Sequence, residues 1–392
     1  MIPRSILLFL LTAAAARADV TPMDESLKED GVTVITVKYD GANIKYGKFN
    51  FKATAGEYHY NLYLPPDYNK DPKEIYPLLF MQSPSGNAGL GAFKSRVKSG
   101  RYVVAGLVEA RNGEWDPILA NFCAAHDDVL KRVRIAEGFK YMAGMSGGGR
   151  SSTFMPDLRP GFGGCFPQGA GVWPNYNEVP HNPNIGMFLS MGNTDGNARE
   201  LPGLHKLLPP NVGFCPVYFE GGHTSAPAEV VEQGFDWLEW WSYYGSPTQA
   251  AAKPMYTQQF NKLTAQAASG EFEKYELLDK AEKLANVRSL GKDKEIATKL
   301  TAMKKAIADL AKAEAVKKEL PARTAYQKIA DAELAARRQS KGDFSAHKRL
   351  MAEASAAYEG VAKKYPGTIY AEKATAAAAR TKTESELPHS TK

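Results

Sequence analysis

A chain of 392 residues with 44% hydrophobic and 23% charged residues is neither intrinsically disordered nor a multispan membrane protein, and at roughly 100–200 residues per domain it has room for two. The net charge of +6 is unevenly spread: up to residue 250 there are 22 Lys+Arg against 25 Asp+Glu, and beyond it 27 against 18. All five Trp, all three Cys and 29 of the 34 Gly lie in the first part, whereas 32 of the last 142 residues are Ala. Two physically different segments therefore share the chain, and the first has the glycine-rich turns and aromatics of an α/β enzyme.

Arg4 precedes an apolar run from Ile6 to Ala16, and Ala16, Arg17 and Ala18 form a small-x-small site. Residues 1–18 read as a secretory signal peptide, which implies a secreted or periplasmic protein with no transmembrane anchor after cleavage. The run is too short to span hydrocarbon. Cys123, Cys165 and Cys215 have no CxxC metal spacing, which leaves open one bridge plus a free thiol or three buried thiols.

From 32 to 65 three short runs, VTVITVKY, ANIKYGKFNF and YHYNLYLP, alternate apolar and polar residues, which suits an antiparallel entry to a sheet. After Tyr76 the strands lose that alternation: YPLLFM (76–81), RYVVAGLV (101–108), FKYMAGMS (139–146), IGMFLSMG (185–192) and CPVYFEGG (215–222). Such runs mark strands buried on both faces of a largely parallel sheet. Helical spacing runs from Asp116 to Val133 and from Pro227 to Tyr244, so strand and helix alternate and the class is α/β over residues 19–248. Gly245–Pro254 reads as a linker. Residues 249–380 read as a separate, basic, all-α extension rich in Ala and Lys, and 381–392 as a disordered end.

Residues 144–150, GMSGGGR, follow a strand and precede a helix start. In that context G-x-S-x-G is a nucleophile elbow, in which glycines clear the crossing chain and leave the Ser Oγ exposed above the sheet. A serine needs a base, and the base needs an orienting acid. Asp195 in GNTDGN follows the strand IGMFLSMG, and His223 in EGGHTSAP follows CPVYFE. Both loops lie at strand C-terminal ends, where ligands collect in open α/β sheets, and the chain order Ser146, Asp195, His223 is the one this fold uses. Of the seven histidines, only His223 follows both nucleophile and acid at the end of a core strand.

LYLPPDY, YPLLFM, AAHDDVLKRV, YMAGMSGGGR, FLSMGNTDGN and FEGGHTSAPAEVVEQGFDWL together resemble the α/β-hydrolase superfamily. More narrowly the chain is similar to the secreted esterases grouped with polyhydroxybutyrate depolymerases and feruloyl or acetyl esterases, over residues 57–240. The resemblance implies a mostly parallel sheet flanked by helices, a Ser146–Asp195–His223 triad, ester hydrolysis and no metal or organic cofactor. The family usually carries a His-Gly turn after the strand matching YPLLFM, near one oxyanion donor. This chain has Gln82, Ser83, Pro84, Ser85 and Gly86 there, and Pro84 has no N–H. The oxyanion donors are then expected at Gly147 and Ser83, with Ser85 as the alternative.

Trp173 and Tyr176, in VWPNYNEVPHNPN, are candidates for stacking on a sugar or aromatic acyl group, with packing over the sheet edge as the competing role. The substrate expected is a small-molecule or polysaccharide-linked ester. In the tail, AYEGVAKKYPGTIYAEKA resembles one tetratricopeptide-like helix pair, short of the three repeats a stable array takes, so a protein partner is a candidate there. Few aromatics accompany the basic residues of the tail, which argues against nucleic acid. The alternatives to an esterase are a serine peptidase of the same fold and a weakly catalytic, hydrolase-like scaffold docking partners through its helices.

Overall fold

The computed structural model describes residues 27–209, 212–247, 249–340 and 343–388, so the leader expected at 1–18 lies outside the described residues. Strands β1 (Val32–Tyr39), β4 (Gly56–Tyr63), β5 (Tyr76–Gln82), β6 (Val103–Leu107), β7 (Ile135–Met145), β8 (Phe162–Gln168), β9 (Gly186–Gly192) and β10 (Gly213–Phe219) make one sheet in the order β1-β4-β6-β5-β7-β8-β9-β10. β1 and β4 pair antiparallel, as do β4 and β6, and from β6 to β10 every pairing is parallel. The middle run of the three alternating ones leaves the sheet as a hairpin, β2 (Ala42–Tyr46) with β3 (Phe49–Ala53).

Every residue of β5, β6, β8, β9 and β10 is buried, because helices cover both faces. Besides the short helices α1 (Lys94–Ser99) and α4 (Leu201–Leu207), two long helices flank the sheet: Leu78 and Phe80 face the cluster built with α2 (Trp115–Arg132), while Leu79 and Met81 face the one built with α5 (Ala228–Trp240). Alternate residues of one strand thus serve opposite layers. Strand order, parallel core and flanking helices make this an α/β-hydrolase fold.

A helical C-terminal region follows: α6 (Lys253–Ala265), α7 (Glu271–Val287), α8 (Lys294–Leu310), α9 (Glu314–Gln339), α10 (Phe344–Lys364) and α11 (Ile369–Glu386). It is docked on the sheet rather than tethered to it. Tyr256, Phe260, Leu277 and Leu284 enter the same apolar cluster as Phe139, Phe166 and Phe235. The stretch expected as a linker is correspondingly fixed. Ala252 is fully buried, and Arg288, itself buried, donates to the carbonyls of Ser242, Tyr243 and Ser246 at 2.7, 2.6 and 2.9 Å, closing the turn after α5. The end expected to be disordered from 381 is helical to Glu386, with Leu387 buried, because Thr381 and Glu384 face the interior. All three cysteines are free and buried, and burial pushes the Cys123 thiol up to about 11 and Cys215 to about 12.

Candidate active site

Ser146 sits between the end of β7 and the short helix α3 (Gly147–Ser152) with φ 56° and ψ −120°. For a residue with a side chain this backbone region costs on the order of 1–3 kcal/mol, and the surroundings hold it. Ser146 N–H donates to Gln168 O at 2.9 Å. The glycines make the turn possible: a Cβ on Gly148 would lie 2.6 Å from Gln82 O of the neighbouring strand.

The loops after β9 and β10 bring the other two residues to it. His223 Nε2 lies 2.9 Å from Ser146 Oγ, and His223 Nδ1 lies 2.9 and 3.0 Å from the two carboxylate oxygens of Asp195. With Nδ1–H donating to the carboxylate, Nε2 is the free acceptor for the serine hydroxyl. The Asp195 side chain is 1% exposed and that of His223 45%, so the acid is shielded while the serine–histidine contact is open to a ligand. Asp195 Oδ1 also accepts from Asn197 N at 2.8 Å. The two loops are cross-tied: Gly221 N–H donates to Asn193 Oδ1 at 2.9 Å, Thr194 N–H to Gly221 O at 2.9 Å, and Ala226 N–H to Gln168 Oε1 at 2.8 Å. Asn193, Asn197 and Gln168 escape a reading based on reactive residue types, since amides act here only as struts. Their position at strand C-terminal ends is the one signal the sequence offers.

Four other described histidine side chains are each bound to a carboxylate of their own: His59 to Glu109, His126 to Asp127, His181 to Asp157 and His347 to Glu384, at 2.7–2.9 Å. Trp173 and Tyr176, expected as substrate contacts, are instead 3% and 1% exposed. Trp173 stacks with Phe154 at 4.8 Å and meets Phe49 edge-on at 4.9 Å, while Tyr176 stacks on His181 at 3.8 Å. The β2–β3 hairpin folds over this segment and takes the aromatics into the core, so packing wins over ligand contact.

After β5, Ser85 N–H is turned toward Ser83 Oγ at 3.3 Å and Gly86 N–H donates to Ser83 O at 3.1 Å. Gly147, as the first residue of α3, has an N–H without a partner inside its helix. A cavity of about 720 Å³ lies elsewhere, at the N-terminal ends of β5 and β7, where its guanidinium groups are taken by carboxylates, Arg101 by Glu74 and Arg96 by Glu239.

A scan of protein-family models and a search of curated proteins return no match. Among solved structures the chain is similar to a ferulic acid esterase at 13% identity, covering 55% of this chain and 99% of that one, with a TM-score of 0.39. It is also similar to an IroE-like serine hydrolase from Shewanella oneidensis (12% identity, 71% and 98% covered, TM-score 0.41). An S-formylglutathione hydrolase from Staphylococcus aureus is a third (12% identity, 54% and 99% covered, TM-score 0.39). At these values the likenesses add nothing to the fold that the strand order already shows. No helix among the described residues is long and apolar enough to cross a membrane.

Proposed function

We propose that the chain is a serine hydrolase that cleaves carboxylic esters through an acyl-enzyme on Ser146. What supports this most is the continuous chain of hydrogen bonds from Ser146 Oγ through His223 to a shielded Asp195, ending on an accessible serine at the C-terminal edge of the sheet. In this reading His223 Nε2 takes the serine proton as Oγ attacks the ester carbonyl. Asp195 holds the imidazole tautomer and stabilises its charged form. The N–H groups of Gly147 and Ser83 receive the oxyanion, the choice of Ser83 over Ser85 following from the engagement of Ser85 N–H. The alcohol leaves with the proton from His223, and water then releases the acid by the same steps.

The burial of Trp173 and Tyr176 removes the aromatic platform and favours a small acyl group at an open serine. The apolar run before Ala18 supports export. The test is turnover by the full-length protein of p-nitrophenyl acetate against a matched p-nitroanilide. Ester turnover, absent in Ser146→Ala and reduced about 10⁴-fold in Asp195→Asn, is expected. Preferential amide turnover would make the chain a peptidase, and inactivity of the wild type with both would leave a scaffold.

A further inference from the structure

The turn after β5 presents Pro84 where a hydrolase commonly has an N–H to offer, and the loop after β6 reaches the same place. Asn112 N–H donates to Pro84 O at 2.8 Å, which fixes this loop beside the turn. Its side chain lies on the elbow. A Cβ on Gly147 would stand 2.9 Å from Asn112 Cγ and 3.5 Å from Nδ2, with Oδ1 closer still. Glycine at 147 is therefore what admits the amide, and the amide occupies the space that a side chain after the nucleophile would fill.

Two further observations point outward from packing. Asn112 is exposed, and among the described residues neither its Oδ1 nor its Nδ2 makes a hydrogen bond. An amide kept only as a strut, like Asn193 or Asn197, is engaged by the groups it ties. The terminal torsion of Asn is broad and roughly two-fold, so Nδ2 can take the place of Oδ1 beside Gly147 by rotation. Gly147 N–H is the donor proposed above for the oxyanion.

We propose that Asn112 Nδ2 is a catalytic hydrogen-bond donor to the oxyanion formed on Ser146, standing with the Gly147 and Ser83 N–H groups in place of the missing His-Gly turn. The inference rests on the serine-hydrolase reading. As the carbonyl oxygen gains charge, a neutral amide strengthens its hydrogen bond without any proton changing hands. One such donor is worth about 10²- to 10³-fold in rate.

The experiment is steady-state hydrolysis of p-nitrophenyl acetate by the full-length wild type, Asn112→Ala and Asn112→Asp, with thermal midpoints measured alongside. Expected is a kcat lower by about 10²-fold or more in both variants, KM within about twofold and unchanged midpoints, the Asp variant being no faster than the Ala variant because a carboxylate repels the oxyanion. If Asn112→Asp, which keeps the shape of the side chain, retains kcat within about threefold of an active wild type, the amide only packs and the inference falls. If the wild type hydrolyses no ester, the serine-hydrolase reading itself falls.

Discussion

Helices α6 to α8 lie on one face of the sheet and extend its apolar cluster with Tyr256, Phe260, Leu277 and Leu284, whereas α9 to α11 meet the edge strand β10 through a buried ionic cluster set beside the edge-on Tyr218–Phe344 ring contact. Arg337, 1% exposed, pairs with Glu333 at 2.8 Å and Glu384 at 2.7 Å and also donates to Pro216 O of β10 at 3.2 Å. Arg380 adds a second guanidinium on Glu333 at 2.7 Å, Tyr358 Oη donates to Glu333 at 2.9 Å, and His347 Nε2 lies 2.9 Å from Glu384. The two contacts do different work. The apolar seam stabilises by burying area and is indifferent to pH. The ionic one gains little net energy after desolvation, yet it satisfies a strand edge that would otherwise offer unpaired backbone to another chain. It also reaches the site, since Asn193, which braces the His223 loop, donates to Pro388 O at 3.0 Å.

The sharpest way to break this contrast is Arg337→Met, which strands Glu333 and Glu384 in the interior. It should cost about 3–5 kcal/mol in denaturant unfolding. Leu284→Ala in the apolar seam should cost about 2–5 kcal/mol, with the same value at pH 5 and pH 8. Acid should discriminate the two interfaces more finely. Burial works to raise Glu333, but Arg337 and Arg380 outweigh it and hold the carboxyl at about 2, below its ordinary 4.5, and Arg337 and His347 likewise hold Glu384 low. Burial pulls His347 below its ordinary 6.5, with Glu384 opposing. Depressed carboxyls contribute stability that is complete above 4.5 and lost as pH falls toward their folded values, and a depressed histidine loses stability as pH falls below 6.5. Both signs agree, so protection from hydrogen exchange in α10 and α11, corrected for the intrinsic chemical rate, should weaken as pH falls from 6.5 through 4.5 toward about 3, while α6 and α7 stay protected. Equal acceleration in both would remove the distinction.

The α/β unit and its candidate site were legible because their signals are local. Glycines at 144 and 147–149, a serine after an apolar run, and an acid and a base each directly after a core strand define where Ser146, Asp195 and His223 stand. The helical region was legible as helices, through Ala content and spacing, but its attachment was not. Gly245–Pro254 has the composition of a linker, and the buried Arg288 that ties down the turn before it lies more than thirty residues later. Trp173 and Tyr176 misled because nothing in their own segment reveals that the β2–β3 hairpin covers them. Asn112 lay hidden for the converse reason, since its place on Gly147 depends on how two loops from neighbouring strands meet.

If the proposed reading holds, Ser146 is an activated nucleophile. Reaction of the full-length protein with a fluorophosphonate probe at pH 7, followed by mass-spectrometric mapping, tests it most directly. One adduct is expected, on Ser146, absent in Ser146→Ala and slowed in Asp195→Asn. No adduct, or an adduct on a different serine, would contradict it.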